Sequence, residues 1–307
     1  MLRNRRLRRA LARLFYVPFL GWVVIKSLAE SWTLFVPEKP DEHAASLAHQ
    51  GMSGDFRGTV ATFYAERSLV ESWLPPQFAL AGPDGLPDWL ARRDDHPVML
   101  MFGSMASGWR SRFLGRYDTA PVFARFREAF LGVPFVKPLP GGPSPCFHFV
   151  RVHCSAFWPT ELGISVGGWP KVQCPMKIAG QGPVETYSIR DERGKDLWLT
   201  AETDRADPVP LDLDHPGLSK IDAMLSLPLG LVKQRELEFT IFDWRLEAAM
   251  AKAVSASVTL HAGYLPQITQ PIDFSFPKIT DDASGAFSLE TTFMSRLLER
   301  VPLREGS

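Results

Sequence analysis

The chain has 307 residues, and 45% of them are hydrophobic, which is enough for a substantial core in one large domain or two smaller ones. Its formal net charge is zero, but six arginines precede the first acidic residue, Glu30, and the rest of the chain carries 28 basic and 34 acidic residues. This acidic body argues against nucleic-acid binding through phosphate neutralisation and leaves the N-terminus as the candidate for an anionic partner.

Residues 1–32 form a basic and apolar N-terminal segment. The six arginines are followed by a twelve-residue uncharged apolar run, residues 14–25, and then by Lys26. A spanning helix needs roughly 20 apolar residues, so this run is long enough only if the flanking basic side chains snorkel to the headgroups. The same residues suit an interfacial helix on anionic lipid, a cleaved secretory signal, or a helix packed on the body or on a partner subunit of a homo-oligomer. We expect membrane association in some form.

The predicted body begins after a polar linker. Residues 33–56 show no sustained hydrophobic period and are interpreted as a linker, whereas residues 57–307 are interpreted as a single β domain. Alternating apolar residues predict a first strand. A helical period then predicts a short helix ended by Pro75 and Pro76, and an uninterrupted apolar run predicts a strand covered on both faces. These elements are residues 57–65, 68–73 and 98–102.

Arginine and aromatic residues interleave between Met105 and Phe135. Such a run can stack on an anionic ligand or on single-stranded nucleic acid. More often it forms a solvated strand face opposite a core face, and the acidic body favours this second interpretation. We therefore predict a strand with one solvent-exposed face and no nucleic-acid partner.

Three cysteines, Cys146, Cys154 and Cys174, make an odd count without short spacings, which predicts free thiols in a reducing, cytoplasmic compartment. The first two lie at the ends of a predicted strand that also contains His148 and His153. In an extended strand His153 points away from the other three side chains, and the two cysteines stand ~26 Å apart. The sequence therefore predicts no metal site.

The second half of the chain is rich in short strands joined by glycine and proline turns. A polar, glycine-containing turn makes the clearest hairpin from residues 184–190 and 197–202, and residues 204–216 are interpreted as a loop. A partly helical stretch follows at residues 218–231, and three strands are predicted at residues 237–246, 254–264 and 287–293. Residues 295–301 form a short amphipathic end. The pattern predicts an α+β fold, mainly antiparallel β, with peripheral helices on a sandwich or barrel.

One lysine stands apart in a stretch rich in glycine and proline. Residues 163–177 read GISVGGWPKVQCPMK, in which Lys171 follows a glycine pair, an aromatic residue and Pro170. The glycines let a strand bend or a ligand approach closely, and the proline fixes φ and removes a hydrogen-bond donor. A lysine held on such a bend between apolar residues loses hydration, which favours a neutral amine able to attack a carbonyl carbon. The residues alone also fit an edge-strand lysine that reaches into solvent.

This segment resembles the active-site stretch of the acetoacetate decarboxylase superfamily. In that family a glycine, here Gly163, precedes an aromatic-Pro-Lys motif, here Trp169-Pro170-Lys171. The order of elements is similar from about residue 59 to residue 290. The resemblance implies an acetoacetate decarboxylase-like β-barrel or cone with peripheral helices, Lys171 as the Schiff-base lysine, and no cofactor.

The chain departs from the family pattern around this lysine. Val172 stands where the family usually has a second lysine, and Ile164 and Ser165 stand where it has an Arg-Glu pair. A family acidic residue falls near Met101, and a family glutamate falls one position from Asp118. The resemblance therefore implies the amine but few of the groups that polarise and position a keto acid.

These observations support three hypotheses. The first is a Schiff-base lyase or decarboxylase that uses Lys171 on a β-keto acid or related carbonyl compound. The second is a non-catalytic barrel that binds a hydrophobic small molecule and is tethered to a membrane by its N-terminus, and the third is a membrane-attached scaffold. In the first two, the candidate substrate-binding residues are Trp169, Met101, Phe102, Val166 and Asp118.

Overall fold

The structure is a computed structural model that describes residues 52–91, 93–113, 116–121, 126–212, 214–233, 236–246 and 249–303. The N-terminal segment 1–32 lies outside the described residues, as do residues 33–51 of the predicted linker. The first strand already begins at Met52, inside that linker. Within the described ranges, no helix combines the length and the apolar character needed to cross a membrane.

Strands make up most of the described chain. The first elements are β1 (Met52–Glu66), α1 (Arg67–Trp73), β2 (Phe78–Leu80), α2 (Asp88–Ala91), β3 (Asp95–Phe113), β4 (Arg116–Pro121), β5 (Phe126–Pro138) and β6 (Cys146–Cys154). The middle elements are α3 (Phe157–Gly167), β7 (Lys171–Gln173), β8 (Met176–Gln181), β9 (Val184–Arg190), β10 (Leu197–Pro210) and α4 (Pro216–Leu225). The last are β11 (Leu229–Lys233), β12 (Glu236–Asp243), β13 (Met250–Leu260), β14 (Ile272–Phe276) and β15 (Gly285–Pro302). The predicted α+β fold with mainly antiparallel strands is confirmed.

Seven strands close into a ring. Their order is β1, β3, β5, β6, β11, β12 and β15, and β1 also pairs with β15. Neighbours in the ring are antiparallel except β6 and β11, which meet in parallel at Phe147 and Leu229. The remaining path β13-β10-β9-β8 branches from β15 as a four-stranded arm. Closure leaves the seven strands without an open edge at the β1–β15 seam, so the ring can enclose an interior.

The arm covers the outer face of the ring, so the chain builds two cores. Successive side chains of a strand point to opposite faces, and β3 shows this directly. Met99 and Met101 belong to the interior of the ring, whereas Leu100 and Phe102 belong to the layer between ring and arm, which we call the interlayer. The Phe102 ring meets Tyr187 of β9 at 4.7 Å in that layer. Residues 98–102 are therefore buried on both faces, as their apolar run predicts.

The interlayer also overturns one prediction about the arginine-aromatic run. Much of residues 105–135 lies in stretches whose side chains are outside the described set. From Phe126 onward the side chains of β5 are buried on both faces, with Arg127 as the exposed residue near its start. The prediction of a solvated strand face is wrong for this part, because the arm packs where solvent was expected.

Two other local predictions need correction. Residues 204–216 were expected to form a loop, but β10 continues to Pro210 across a register shift between Asp204 and Val209, because a bulge absorbs the irregular stretch without ending the strand. Residues 295–301 belong to β15, which pairs with β12 up to Pro302. In both cases a neighbouring strand holds the segment in the sheet, and the local composition of the segment does not indicate this pairing.

A β-bulge changes which residues of β6 share a face. The register between β6 and β5 shifts at Val150, the extra residue of the bulge. Cys146 consequently lies in the interlayer and Cys154 in the ring interior, so the prediction that they share a face is wrong. Across the described ranges, no three His, Cys, Asp or Glu side chains form a group that could hold a metal.

Candidate active site

Lys171 follows directly from the end of a helix. α3 ends at Gly167, and Gly168 caps it in the left-handed conformation with φ 63° and ψ 18°, which favours glycine. Trp169 and Pro170 then turn the chain so that Lys171 begins β7, which pairs in parallel with β6. The glycine pair therefore ends a helix, and the prediction that it bends a strand is wrong.

Lys171 reaches a carboxylate on a strand that is not its neighbour. β6 lies between β7 and β5, and it pairs Val152 with Lys171 and Cys154 with Glu128. Lys171 Nζ lies 2.5 Å from Glu128 Oε1, and the two side chains are 8% and 1% exposed. An amine and a carboxylate this close form a charge-assisted contact, and their burial means that little water competes for either group.

The surroundings of Glu128 set its proton affinity. Burial raises the pKa of this carboxyl above its ordinary value, while the charge of Lys171 and the neighbouring Cys154 thiol act in the opposite direction. Neither carboxylate oxygen has a hydrogen bond of good geometry among the described residues, so the 2.5 Å contact of Oε1 with Lys171 Nζ is an ion pair. Burial also raises the pKa of Cys154 to about 11, so the thiol stays protonated beside the carboxylate. The site thus contains an acid with a raised proton affinity directly beside an amine.

Aromatic rings surround the pair inside the ring of strands. Lys171 Nζ lies 5.0 Å from the ring centroid of Trp169 and 5.9 Å from that of Phe126. Trp169 stacks on Phe149 at 5.4 Å and meets Phe242 edge-on at 5.5 Å. Aromatic faces attract a cation and exclude water, so the amine stands in apolar surroundings beside one acid.

Solved structures share this architecture. Acetoacetate decarboxylase from Legionella pneumophila subsp. pneumophila str. Philadelphia 1 matches with a TM-score of 0.50 and 13% identity, over 89% of this chain and 95% of that chain. An acetoacetate decarboxylase-like enzyme from Sphingomonas wittichii RW1 matches with a TM-score of 0.51 and 13% identity, over 81% and 93%. This chain has the acetoacetate decarboxylase-like fold. No protein-family model and no curated protein matches it.

The resemblance predicted from the Trp169-Pro170-Lys171 motif is confirmed at the level of the fold. Within the acetoacetate decarboxylase-like fold, Trp169 and Met101 pack with the interior core, but Phe102 faces the interlayer. Phe102 was expected beside Met101 in one cavity, and the alternation of β3 separates them. The backbone of Asp118 pairs with Ser111 in the β3–β4 hairpin. The side chains of Asp118 and Val166 lie outside the described set.

The departures from the family pattern acquire a physical meaning in this fold. Val172 pairs with His153, whose side chain lies in the interlayer, so Val172 points away from the face that carries Lys171. A lysine at position 172 would have the same direction, and its replacement by valine takes no charge out of the interior. Ile164 is 45% exposed on α3, so an arginine there would reach solvent.

Glu128 is the site residue that the sequence interpretation missed. The family comparison sought acids near Met101 and Asp118, whereas the acid beside the lysine comes from β5. One signal was available in the sequence. Phe126, Glu128 and Phe130 alternate with other residues, so a carboxylate occupies a core-facing position of a strand, where an unpaired charge is costly. A carboxylate buried at such a position predicts a cationic side chain next to it, because an unpaired buried charge is costly.

Proposed function

We propose that this protein forms a Schiff base between Lys171 and a carbonyl compound and acts as a lyase on a β-keto acid or a related carbonyl substrate. The observation that carries the proposal is the Lys171 amine 2.5 Å from the fully buried Glu128 carboxylate, next to the ring of Trp169. The two structural neighbours named acetoacetate decarboxylase and acetoacetate decarboxylase-like enzyme support the same reaction class.

The chemistry needs an amine that has lost its proton. Glu128 is the neighbouring group that can take this proton, since its pKa is raised by burial. The neutral nitrogen then bonds to the carbonyl carbon, and the carbonyl oxygen leaves as water, so a C=N bond replaces C=O. The protonated imine accepts the electron pair of a bond to the α-carbon, which breaks with loss of CO2 or another group. The enamine that remains takes up a proton at its α-carbon, and water then hydrolyses the resulting imine to the ketone product and free Lys171.

The aromatic side chains around Lys171 support a second candidate function. An apolar interior with few polar groups suits a hydrophobic guest, and Lys171 could then hold a carboxylate or remain idle. This is a non-catalytic binding module, and it makes a different prediction for the amine. Its affinity for apolar ligands would survive in part without Lys171, whereas imine formation would not.

Borohydride reduction in the presence of a panel of ketones and β-keto acids tests the proposal. We expect an added mass on the peptide that contains Lys171, because borohydride converts an imine into a stable amine. The adduct should be absent in Lys171→Ala and present in Lys177→Ala, which removes an exposed lysine of β8. Circular dichroism should show all three proteins folded.

Two results would overturn the proposal. One is a folded protein that gains no mass with any compound of the panel, and the other is an adduct that persists in Lys171→Ala. In the first case, retained binding of an apolar fluorescent probe by both the parent and Lys171→Ala would favour the binding module.

A further inference from the structure

Gly163 lies directly beneath the side chain of Lys171. A Cβ atom at this position would stand 2.6 Å from Lys171 Cδ, 2.8 Å from Cε and 3.4 Å from Nζ. Carbon atoms in ordinary contact are about 3.5–4.0 Å apart, so the first two distances allow no methyl group. The stem of the lysine therefore occupies the space that any other residue would fill with its side chain.

The backbone at Gly163 does not itself require glycine. It lies within α3 and is not among the glycines with positive φ, in contrast to Gly168. Glycine in a helix interior is unfavourable relative to alanine, so local propensity opposes it here. What glycine provides at this position is room, and the group that uses this room is the lysine.

Gly163 also supports the turn that leads to the lysine. Its carbonyl accepts a hydrogen bond from the Trp169 N–H over 3.1 Å, which folds the chain back across the last turn of α3. One residue thus anchors the Trp169-Pro170 turn through its backbone and leaves space for Lys171 through its missing side chain. Both effects direct the amine toward Glu128.

We infer that Gly163 is a positioning residue that holds the Lys171 amine against Glu128. This inference rests on the proposed imine chemistry for its effect on reactivity. The steric contact itself does not depend on that chemistry. A methyl group at position 163 would push the lysine stem by about 1 Å, since carbon atoms need about 3.5 Å or more, and would separate Nζ from Oε1. A displacement of this size at a reacting group can lower a rate about 100-fold.

Gly163→Ala tests the inference by comparing reactivity with stability. We expect the rate of borohydride trapping at Lys171 to fall about 10- to 100-fold, because the amine leaves its reactive position. The matched control is Gly82→Ala, since a Cβ at Gly82 meets no atom within 4 Å and its φ is −71°. This control should trap at the parent rate. Equal trapping by Gly163→Ala and the parent would overturn the inference, whereas no trapping by the parent would instead remove the proposed function.

A stability measurement tests the contact between Gly163 and the Lys171 stem independently of imine formation. The Tm change caused by Gly163→Ala is compared in the parent and in a Lys171→Ala background. Without the lysine stem, alanine should raise the Tm because it is the better helix former. With the stem present, the clash should offset that gain, so the change should be smaller or negative. Equal Tm changes in the two backgrounds would show that the contact does not exist.

Discussion

At the scale of single residues, the proposed reaction rests on the buried pair of Lys171 and Glu128. Removing two charges from water is costly, and their attraction compensates only when the geometry is close. The geometry is close here, since the two charged atoms are 2.5 Å apart and the side chains are 8% and 1% exposed. A stability role alone would be met as well by two apolar side chains. The proton transfer proposed above uses both charges, whereas packing alone requires neither.

Glu128→Gln isolates the proton-accepting role of this residue. Glutamine keeps the size of the side chain but cannot take the lysine proton, so we expect the rate of imine trapping to fall by about 100-fold or more, within the usual range of general base catalysis. The parent rate should also fall as the pH drops through the raised pKa of Glu128, because the protonated acid no longer accepts a proton. The measurement is the trapping rate from pH 5 to 8.

The control for this variant is Glu290→Gln. Glu290 pairs with Arg57 at 3.7 Å on the surface, and both side chains are about half exposed or more. Its trapping rate and pH profile should match those of the parent. A Glu128→Gln protein that traps at the parent rate over the whole pH range would exclude Glu128 as the proton acceptor.

At the scale of elements, the bulge of β6 places a histidine between ring and arm. His153 is fully buried, and its ring lies tilted 4.8 Å from the ring of Tyr264 and edge-on 5.7 Å from that of Trp198. Neither ring nitrogen has a hydrogen-bond partner among the described residues. His148 on the same strand differs, since its Nδ1 lies 2.9 Å from the Gly230 carbonyl oxygen. Burial, together with the charge of Arg151, lowers the pKa of His153 to about 3.

This depressed pKa predicts acid sensitivity of the folded state. Below the ordinary histidine pKa of about 6.5 the unfolded chain binds a proton that folded His153 refuses until about pH 3. Stability is therefore present above pH 6.5 and is lost as the pH falls, at about 1.4 kcal/mol per pH unit for one histidine. His96 and His148, whose pKa values are lowered by burial to about 4, act in the same direction.

His153→Phe should flatten this dependence. Phenylalanine can occupy the place between Trp198 and Tyr264 without a group that titrates, so the loss of unfolding free energy between pH 6.5 and 4 should shrink by about 1.4 kcal/mol per pH unit. The measurement is urea unfolding at several pH values, with the parent alongside. An unchanged slope would mean that His153 does not remain neutral in the folded protein.

At the scale of the whole molecule, ring and arm share one continuous interlayer. Thr59 of β1 and Thr203 of β10 meet there through a buried hydrogen bond of 2.9 Å, and Phe102 of the ring packs on Tyr187 of the arm. Without the arm, the apolar side chains on the outer face of the ring would be exposed to water, and the same holds for the face of the arm that packs on the ring. The two strand layers of the described body are therefore joined through buried contacts.

Membrane association through residues 1–32 remains a prediction, and vesicle sedimentation tests it. We expect the full chain to sediment with phosphatidylserine-containing vesicles more than with neutral ones, and less at high salt, since each basic residue near an anionic surface contributes about 1 kcal/mol. A variant with glutamine at all six N-terminal arginines should lose most of this binding. These residues are Arg3, Arg5, Arg6, Arg8, Arg9 and Arg13. Equal sedimentation of parent and variant would contradict the prediction.

Local patterns in the sequence were sufficient to predict much of the secondary structure. Alternation predicted β1, and the apolar run at residues 98–102 predicted a strand buried on both faces. The helical pattern before Pro75 predicted α1, which ends where Leu74 turns extended. The Trp169-Pro170-Lys171 motif led to the correct fold and to a candidate nucleophile. Each of these signals depends on residues close together along the chain.

The partner of Lys171 and the faces of the strands were decided only by the tertiary structure. Glu128 lies on β5 and reaches Lys171 across β6, so no local spacing reports their distance. The bulge at Val150 reverses the faces of β6, and one extra residue does this because side chains alternate with period two. The arm converts an expected solvent face into an interlayer. Local patterns indicated where many of the strands lie and which lysine stands apart, whereas the pairing of β5, β6 and β7 determined what that lysine touches.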